Sequence, residues 1–175
     1  GKLVGFLSDR DIMRVSPSPA TTLSRYEITS LLAKMCIGDI MQKDVISVKD
    51  DATIEEAALI MYNHKIGGLP VVSSVGAVVG VITETDIFKT FVDVMGLTHG
   101  KTRFTIADVR DKVGVVRDLS GIIADCGCNI DSLVTCQQED GSYEIVVRFD
   151  TTDNEAVKKK LEENGFHVSH VVKIG

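Results

Sequence analysis

Two pairs of polar residues stand at matching spacings in this 175-residue chain and could bind a ligand. Ser8 precedes Asp11 and Thr83 precedes Asp86, each pair at the point where an apolar stretch changes to a helical pattern. A hydroxyl with a carboxylate three residues later is a variant capping box, which satisfies free backbone N–H groups. The same groups could bind a nucleotide, because a helix N-terminus attracts phosphate and a carboxylate accepts ribose hydroxyls. The two interpretations are compatible, and both stay open.

Both pairs belong to an internal repeat. Residues 1–14 and 76–89 share five identities in fourteen positions, and each copy predicts a turn, an apolar strand and a helix start. Gly5 and Gly80, three residues before the hydroxyls, would let a base approach the strand backbone. The second copy is preceded by strand 45–48, helix 53–65 and strand 68–72. Because nothing equivalent precedes Gly1, we expect the native polypeptide to begin earlier.

The segment between the two copies predicts a linker and a helix. Residues 16–23 (SPSPATTL) have a linker composition, and Ser24 with Glu27 forms a further capping box. We expect the helix that follows to connect the copies and to pack on them through an apolar stripe. The stripe consists of Ile28, Leu31, Leu32 and Met35.

Composition and charge exclude several classes of protein. Hydrophobic residues make up 44% and charged residues 25%, which is typical of a folded chain. The net charge of −6 opposes a nucleic-acid backbone, so we expect no nucleic-acid partner. Residues 66–83 carry no charge, but their glycines, proline and β-branched residues predict two strands rather than a membrane helix. No signal-peptide pattern is visible, and four cysteines without framework spacing predict a cytoplasmic protein with free thiols.

The sequence contains no pattern typical of a metal site or of a catalytic site. Cys126 and Cys128 flank Gly127, which we interpret as a helix end, because zinc needs four ligands and no matching pair is present. The sequence contains no nucleophile elbow, Walker loop or GxGxxG motif, and Asp11 and Asp86 have no local base beside them. We therefore predict no metal, no required cofactor and no enzymatic activity.

After residue 102 the chain predicts a second domain with the order βαββαβ, which is the ferredoxin-like sandwich. Its helices place Val116, Leu119 and Ile123, and then Val157 and Leu161, towards an antiparallel sheet. Gly127 and Gly165 should end these helices. The predicted elements are strands 104–109, 129–136, 143–149 and 167–174, and helices 114–126 and 154–163. The whole chain is thus predicted to be α+β.

Several motifs of the first half resemble a pair of CBS domains. They are GFLSDRD (5–11), IGDIM (37–41), the TIEEAA helix, KIGGLPVV (65–72) and GVITETD (80–86). The resemblance implies a regulatory module whose cleft between the copies binds an adenosine compound such as AMP, ATP or S-adenosylmethionine. It implies ribose hydroxyls on the two aspartates, phosphate on the two hydroxyls, and adenine on the backbone near residues 45–46 and 68–70. The implied nucleotide-binding residues are Ser8, Asp11, Val45, Ile46, Gly68, Leu69, Pro70, Thr83 and Asp86.

The βαββαβ part is similar to ACT domains, on the segments ADVRDKVGVV (107–116) and GCNI (127–130). The similarity implies a small sensor, usually of amino acids, with its effector at a subunit interface. The implied effector-binding residues are Asp111, Lys112, Gly114, Val115, Asn129 and Ile130. The alternative is that Asp111 only caps a helix and that the domain only dimerises.

The order CBS, CBS, ACT resembles the acetoin-utilisation protein AcuB family, which implies a stand-alone, non-catalytic bacterial regulator that forms a homodimer. The alternatives are a regulatory fragment of a larger enzyme or transporter and a purely structural dimerisation module. We expect binding in the repeats to be transmitted to the last domain. The expected domains are 1–35 (the end of the first CBS repeat and the linker helix), 36–95 (the second CBS repeat), 96–102 (a linker) and 103–175 (an ACT domain).

Overall fold

The computed structural model describes residues 1–18 and 20–173. The chain divides into two compact units, Gly1–Ile87 (unit 1) and Phe88–Gly175 (unit 2). The helices are α1 (Asp9–Val15), α2 (Arg25–Ala33), α3 (Ile37–Ile40), α4 (Ile54–His64), α5 (Glu84–Val94), α6 (Val115–Asp125) and α7 (Asn154–Glu163). The strands are β1 (Val48–Lys49), β2 (Gly68–Val72), β3 (Val78–Thr83), β4 (Thr102–Val109), β5 (Ile130–Gln137), β6 (Tyr143–Phe149) and β7 (His167–Lys173).

Unit 1 is built on a three-stranded sheet in the order β1-β2-β3. β1 is parallel to β2, and β3 is antiparallel to it. The predicted helix 53–65 is confirmed as α4, which begins with a capping box in which the Glu56 carboxylate accepts the Thr53 N–H at 2.8 Å. Its Ala57 and Met61, four residues apart on one face, pack with Val48 and Leu69 to form a small buried core.

The first copy of the repeat does not form its predicted strand. Residues 2–7 make two isolated bridges instead, Lys2 with Ala77 and Phe6 with Gln42. In the second copy, β3 pairs along β2. Among the described residues, the first copy has no strand equivalent to β2, so residues 2–7 have no partner along which a ladder of hydrogen bonds could extend. The prediction of a strand over 45–48 is also wrong in its bounds, because pairing with β2 begins at Val48.

The predicted helix after Ser24 is confirmed as α2, but its predicted packing is wrong. The Glu27 carboxylate accepts the Ser24 N–H at 2.8 Å, as the capping box requires. Leu31 and Leu32 are nevertheless exposed, α2 buries none of its residues, and it ends before Met35. The spacing therefore predicts the helix correctly but not a buried face. Pro19 in the preceding linker lies outside the described residues.

Unit 2 has the predicted βαββαβ order. Its antiparallel sheet has the strand order β5-β6-β4-β7, and both helices contribute side chains to the core. Phe104 on β4 and Phe149 on β6 stack with their ring centroids 4.6 Å apart. Around them the core contains Leu119, Ile123, Val157 and Leu161, as predicted. Val116 is exposed and the half-buried Val115 packs on the core instead, so that one position of the predicted stripe is wrong.

The turns of unit 2 follow the glycines. Gly127 and Gly165 adopt φ of +74° and +85° just after α6 and α7, which confirms the predicted helix ends. The last predicted strand is confirmed as β7 up to Lys173, while Ile174 lies outside the described residues.

Residues 96–102, the predicted linker, contain a 3-10 turn at Leu97–His99 and the first residue of β4. Glycines with left-handed φ flank the turn on both sides. The Lys101 ammonium lies 2.8 Å from the Asp150 carboxylate and 3.6 Å from that of Asp131. The end of this segment is therefore anchored to unit 2.

Candidate functional site

The Ser8–Asp11 pair forms a complete cap at the start of α1. One carboxylate oxygen of Asp11 accepts the backbone N–H of Ser8 at 2.9 Å and its hydroxyl at 2.6 Å. The hydroxyl oxygen in turn accepts the Asp11 N–H at 3.4 Å. The other carboxylate oxygen accepts a longer bond, 3.3 Å, from the Gln42 amide. The helix cap therefore uses one oxygen of the Asp11 carboxylate, and a ligand could be bound by the other.

Thr83 and Asp86 repeat this geometry in the second copy. The Asp86 carboxylate accepts the Thr83 N–H at 2.8 Å and the Thr83 hydroxyl at 2.6 Å. The Thr83 oxygen accepts the Asp86 N–H at 3.4 Å. The equal spacing in the two copies thus produces equal caps, as the repeat predicts.

The hydrogen bonds fix the charge state of Asp11. Donation by the Ser8 hydroxyl, then by the Ser8 backbone and by Gln42, lowers the pKa of this carboxyl below its usual value. Asp11 is therefore an anion at neutral pH, able to accept hydrogen bonds only. The Ser8 proton is already donated, so the hydroxyl reaches a phosphate as a donor only if it leaves its carboxylate.

A cavity of about 670 Å³ opens beside Ser8 and Asp11 within unit 1. Its walls come from the first copy, from the segment before β1, from the turn between α4 and β2, and from the end of β3. The volume lies in the range of small-molecule sites. Six of the nine residues predicted to bind a nucleotide line it: Ser8, Asp11, Val45, Ile46, Gly68 and Thr83.

Three predicted residues do not line this cavity. Leu69 and Pro70 follow Gly68 on β2, but both are buried, and Leu69 belongs to the core. Asp86 is exposed and accepts the hydroxyl proton of Thr83, which does line the cavity. Leu69 and Pro70 therefore stand behind the cavity wall, and Asp86 stands next to a lining residue.

The cavity is also lined by residues that the sequence did not predict. Phe6 supplies an aromatic side chain, and Gln42 supplies an amide that already contacts Asp11. Four acidic and three basic side chains line the walls, so the cavity has charges of both signs. The repeat carried no signal for Phe6, because the second copy has Val81 at the equivalent position. The unpredicted lining residues are Phe6, Asp9, Arg10, Arg14, Gln42, Asp44, Lys65, Ile66, Gly67 and Glu84.

Gly5 and Gly80 have different surroundings despite their equivalent positions. A Cβ at Gly5 would overlap the Met41 side chain, whose Cγ lies 2.8 Å from that point. A Cβ at Gly80 would meet nothing within 4 Å. The space beside Gly5 is thus filled by Met41, and neither glycine lines the unit 1 cavity, so the expected approach of a base to these glycines stays a prediction.

A smaller cavity of about 310 Å³ lies in unit 2 beside the loop from β4 to α6. Asp111, Lys112, Gly114 and Val115, all predicted effector residues, line it. Gly114, with φ of +91°, is the N-cap of α6, and no side chain caps this helix, so the alternative in which Asp111 caps it is wrong.

Asn129 and Ile130 lie elsewhere in unit 2. Ile130 pairs with Phe149 at one end of the sheet, whereas the loop follows Val109, which pairs with Tyr143 at the other end. At about 3.3 Å per residue, a strand of this length separates the two groups by roughly 20 Å. One copy of the chain therefore does not bring all six predicted effector residues together.

The described residues contain neither a group of metal ligands nor a helix that could span a membrane. Within residues 1–18 and 20–173, no group of three His, Cys, Asp or Glu side chains is placed to hold a metal ion. In the same part of the chain, no helix combines the length and apolar character needed to cross a bilayer.

Family models match both halves of the chain. Residues 37–93 match the CBS domain, and residues 103–166 match the ACT domain. The CBS match includes the segment before β1, the turn before β2 and the Thr83–Asp86 pair. The ACT match includes the smaller cavity and its loop.

Related proteins match parts of the chain. An uncharacterized protein, MJ1426 of Methanocaldococcus jannaschii, is 30% identical over 53% of this chain and 68% of its own length. A CBS domain-containing protein of Dictyostelium discoideum is 27% identical over 54% of this chain and 66% of its length. A homoserine O-acetyltransferase of Methanosalsum zhilinae is 44% identical over 37% of this chain, which spans 13% of that enzyme.

Among solved structures, the chain is similar to the CBS domain pair of protein MJ0100 in complex with 5′-methylthioadenosine and S-adenosyl-L-methionine. The identity is 31% and the TM-score 0.40, over 52% of this chain and 65% of that one. The family models and the match to MJ1426 identify the family. The chain belongs to the CBS-domain proteins and carries an ACT domain after its CBS domain.

Proposed function

We propose that the chain is a non-catalytic regulatory protein that binds an adenosine compound, such as AMP, ATP or S-adenosylmethionine, in the unit 1 cavity. The observation that carries this proposal is the convergence of Ser8, Asp11, Val45, Ile46, Gly68 and Thr83 on one cavity of ligand size. These residues come from separate parts of the sequence, and a helix cap alone would not require a cavity beside it. The nucleotide is a regulatory ligand here and not a cofactor.

In the proposed complex, Asp11 and Asp86 accept ribose hydroxyls. Asp11 is suited to this role because it is ionised and because its second oxygen holds only the 3.3 Å bond from Gln42. A ribose hydroxyl would replace that amide as the donor. Thr83 and Ser8 would face phosphate, with Arg10 and Arg14 of α1 on the same cavity walls.

The base would lie against the backbone of Val45, Ile46 and Gly68. Residues 45 and 46 precede the paired part of β1, so their N–H and C=O groups are not used in that ladder. A Cβ at Gly68 would lie 3.7 Å from Cζ of the Phe6 ring, which places an aromatic side chain beside this wall. Leu69 and Pro70 would act from behind by fixing the position of Gly68.

Calorimetric titration with AMP, ATP and S-adenosylmethionine tests the proposal. Asp11→Asn should weaken binding by about 10- to 100-fold, because it replaces a charge-assisted hydrogen bond of roughly 1.5–3 kcal/mol. Glu27→Gln is the matched control, since it changes the same cap geometry at α2 and lies outside the cavity. Equal affinity of the wild type and Asp11→Asn, or no binding of any of the three compounds, would contradict the proposal.

We also propose that the ACT domain binds a small carboxylate, such as an amino acid, beside Lys112. Arg110, Lys112 and Arg117 face the smaller cavity, against the single carboxylate of Asp111. Asn129 and Ile130 could join this site only from a second copy, which is why a homodimer is part of the proposal. We therefore propose an AcuB-like regulator. A regulatory part of a larger enzyme or transporter is the second candidate, because matched enzymes share one segment with the chain.

The two sites would communicate by linkage, with the nucleotide favouring one of two arrangements of the chain. Amide hydrogen exchange of the ACT domain, measured with and without saturating nucleotide, tests this. Unchanged exchange in β4 and α6 would show that the two sites act independently.

A further inference from the structure

The smaller cavity of unit 2 has an apolar floor. Val109 and Ile145 line it, are 8% and 1% exposed, and belong to the hydrophobic core of the unit. Val115 and Tyr143, which also line the cavity, are half-buried and pack against the same core. Thr135 adds a hydroxyl, but it is exposed. The cavity therefore reaches from the surface of unit 2 down to its core, and its most deeply buried wall is apolar.

This wall favours an aliphatic ligand group over a polar one. Val116, which also lines the cavity, is 40% exposed, so a ligand could remove apolar surface from water there. Burial of apolar surface strengthens binding by about fourfold for each methylene group. A polar group in the same place would lose its water, while Val109, Val115 and Ile145 have no side-chain hydrogen bond to offer in return.

The rim of the cavity carries charges of both signs. Arg110, Asp111, Lys112 and Arg117 line it, and all four are exposed. The Arg117 guanidinium lies 2.7 Å from the Asp118 carboxylate, which balances its charge. In the described part of the chain, Arg110, Asp111 and Lys112 have no opposite charge within 4.0 Å. Two cations and one carboxylate, on successive residues of one loop, are therefore available to a ligand.

The size of the cavity limits the ligand. Its volume of about 310 Å³ lies at the lower end of the range for small-molecule sites. An apolar floor below a rim with both charges fits a small molecule that has a short aliphatic chain, a carboxylate and an ammonium group. We propose that this cavity selects α-amino acids with a branched aliphatic side chain, such as leucine, isoleucine and valine. This inference rests on the proposed function of the ACT domain as a site for a small carboxylate.

In the proposed complex each part of the amino acid has its own wall. The α-carboxylate accepts hydrogen bonds from Arg110 and Lys112, and the α-ammonium group donates to the Asp111 carboxylate. The branched side chain lies on the apolar floor. Alanine would leave that floor uncovered, and a charged side chain would be desolvated against it without a partner.

Calorimetric titration of the full chain with leucine, isoleucine, valine, alanine, serine, aspartate and lysine tests this selectivity. The three branched amino acids should bind about tenfold or more tightly than alanine and serine, because they bury additional methyl and methylene groups. Isocaproate lacks the ammonium group of leucine, and isoamylamine lacks its carboxylate. Each should bind about tenfold or more weakly than leucine, because each loses a charge-assisted hydrogen bond.

Variants at the rim separate the two charged contacts. Asp111→Asn should weaken leucine binding and leave isocaproate binding unchanged, whereas Lys112→Gln should weaken both and leave isoamylamine binding unchanged. Asp125→Asn is the matched control, because it removes an exposed carboxylate of α6 that does not line the cavity. Val116→Thr, which keeps the side-chain shape and adds a hydroxyl, should reduce the preference for leucine over serine. All four positions are exposed, so these variants should fold.

The outcomes distinguish the selectivity from the function on which it rests. Serine, aspartate or alanine binding as tightly as leucine would overturn the selectivity and would leave a site for small carboxylates. Equal affinity for isocaproate and leucine, or equal behaviour of Asp111→Asn and Asp125→Asn, would overturn the recognition of an ammonium group by Asp111. No binding of any of these compounds would overturn the small-carboxylate site itself.

Discussion

Leu69 offers a test that separates the core of unit 1 from its ligand site. The resemblance to CBS domains assigns this residue to nucleotide binding, whereas the structure buries its side chain completely. It packs with Val48, Ala57 and Met61, and these four form the buried cluster in the described part of unit 1. Leu69→Ala therefore removes a large share of a small core.

The expected loss follows from this burial. Leucine-to-alanine changes in a core cost about 2–5 kcal/mol, as transfer free energy plus the remaining cavity. Whole domains are stable by only about 5–15 kcal/mol. We expect the variant to increase hydrogen exchange across α4 and β2 by a factor of at least 10, since about 1.4 kcal/mol corresponds to tenfold.

Hydrogen exchange with mass spectrometry is the appropriate assay, because it reports each unit separately. Leu161→Ala, an equally buried leucine in the larger core of unit 2, is the matched control and should increase exchange in β4 and α7. Nucleotide affinity of Leu69→Ala, corrected for the folded fraction, should equal that of the wild type because the side chain does not line the cavity. A variant with unchanged exchange and weakened binding would refute this reasoning and would place Leu69 at the ligand.

Two further predictions concern the backbone and pH. Gly114→Ala should lower the free energy of unfolding of unit 2, measured by urea denaturation, by about 1–2 kcal/mol, because φ at this residue is +91°. Gly121→Ala inside α6, where a Cβ meets nothing within 4 Å, should raise it. Equal effects of the two changes would contradict this prediction. Asp11 in unit 1 and Asp150 in unit 2 both have pKa values below the usual value of an aspartate, because Ser8 and Lys101 respectively donate hydrogen bonds to them. Their contribution to stability is present above that value and is lost as the pH falls below about 4, so NMR titration should give both carboxyls low midpoints, and Asp11→Asn should reduce the acid sensitivity of unit 1.

The sequence predicted features that depend on near neighbours. The caps at Ser8, Ser24 and Thr83 each need one hydroxyl and one carboxylate three residues later, and all of them form. The βαββαβ order could also be predicted from the sequence, because its elements show hydrophobic periodicity and glycines mark the ends of its helices. In these cases the information lies within one turn or one strand.

Features that depend on distant partners were not accessible in the same way. The apolar stretch in residues 2–7 has the composition of a strand but lacks a neighbouring strand along which to pair. Likewise, the pattern GLPVV cannot show that Gly68 faces a cavity while Leu69 faces the core. Asn129 and Lys112 both fit an effector site by motif, but the antiparallel topology places them at opposite ends of one sheet.

The close approach of Met41 to Gly5 has a consequence for how this family can vary. The methionine side chain occupies the space that a Cβ at position 5 would need, next to the bridge between Phe6 and Gln42. A side chain at position 5 therefore requires the Met41 side chain to adopt another rotamer or a smaller residue to stand at position 41. Positions 5 and 41 should consequently change together in evolution, while position 80, where nothing lies close by, is free to change alone.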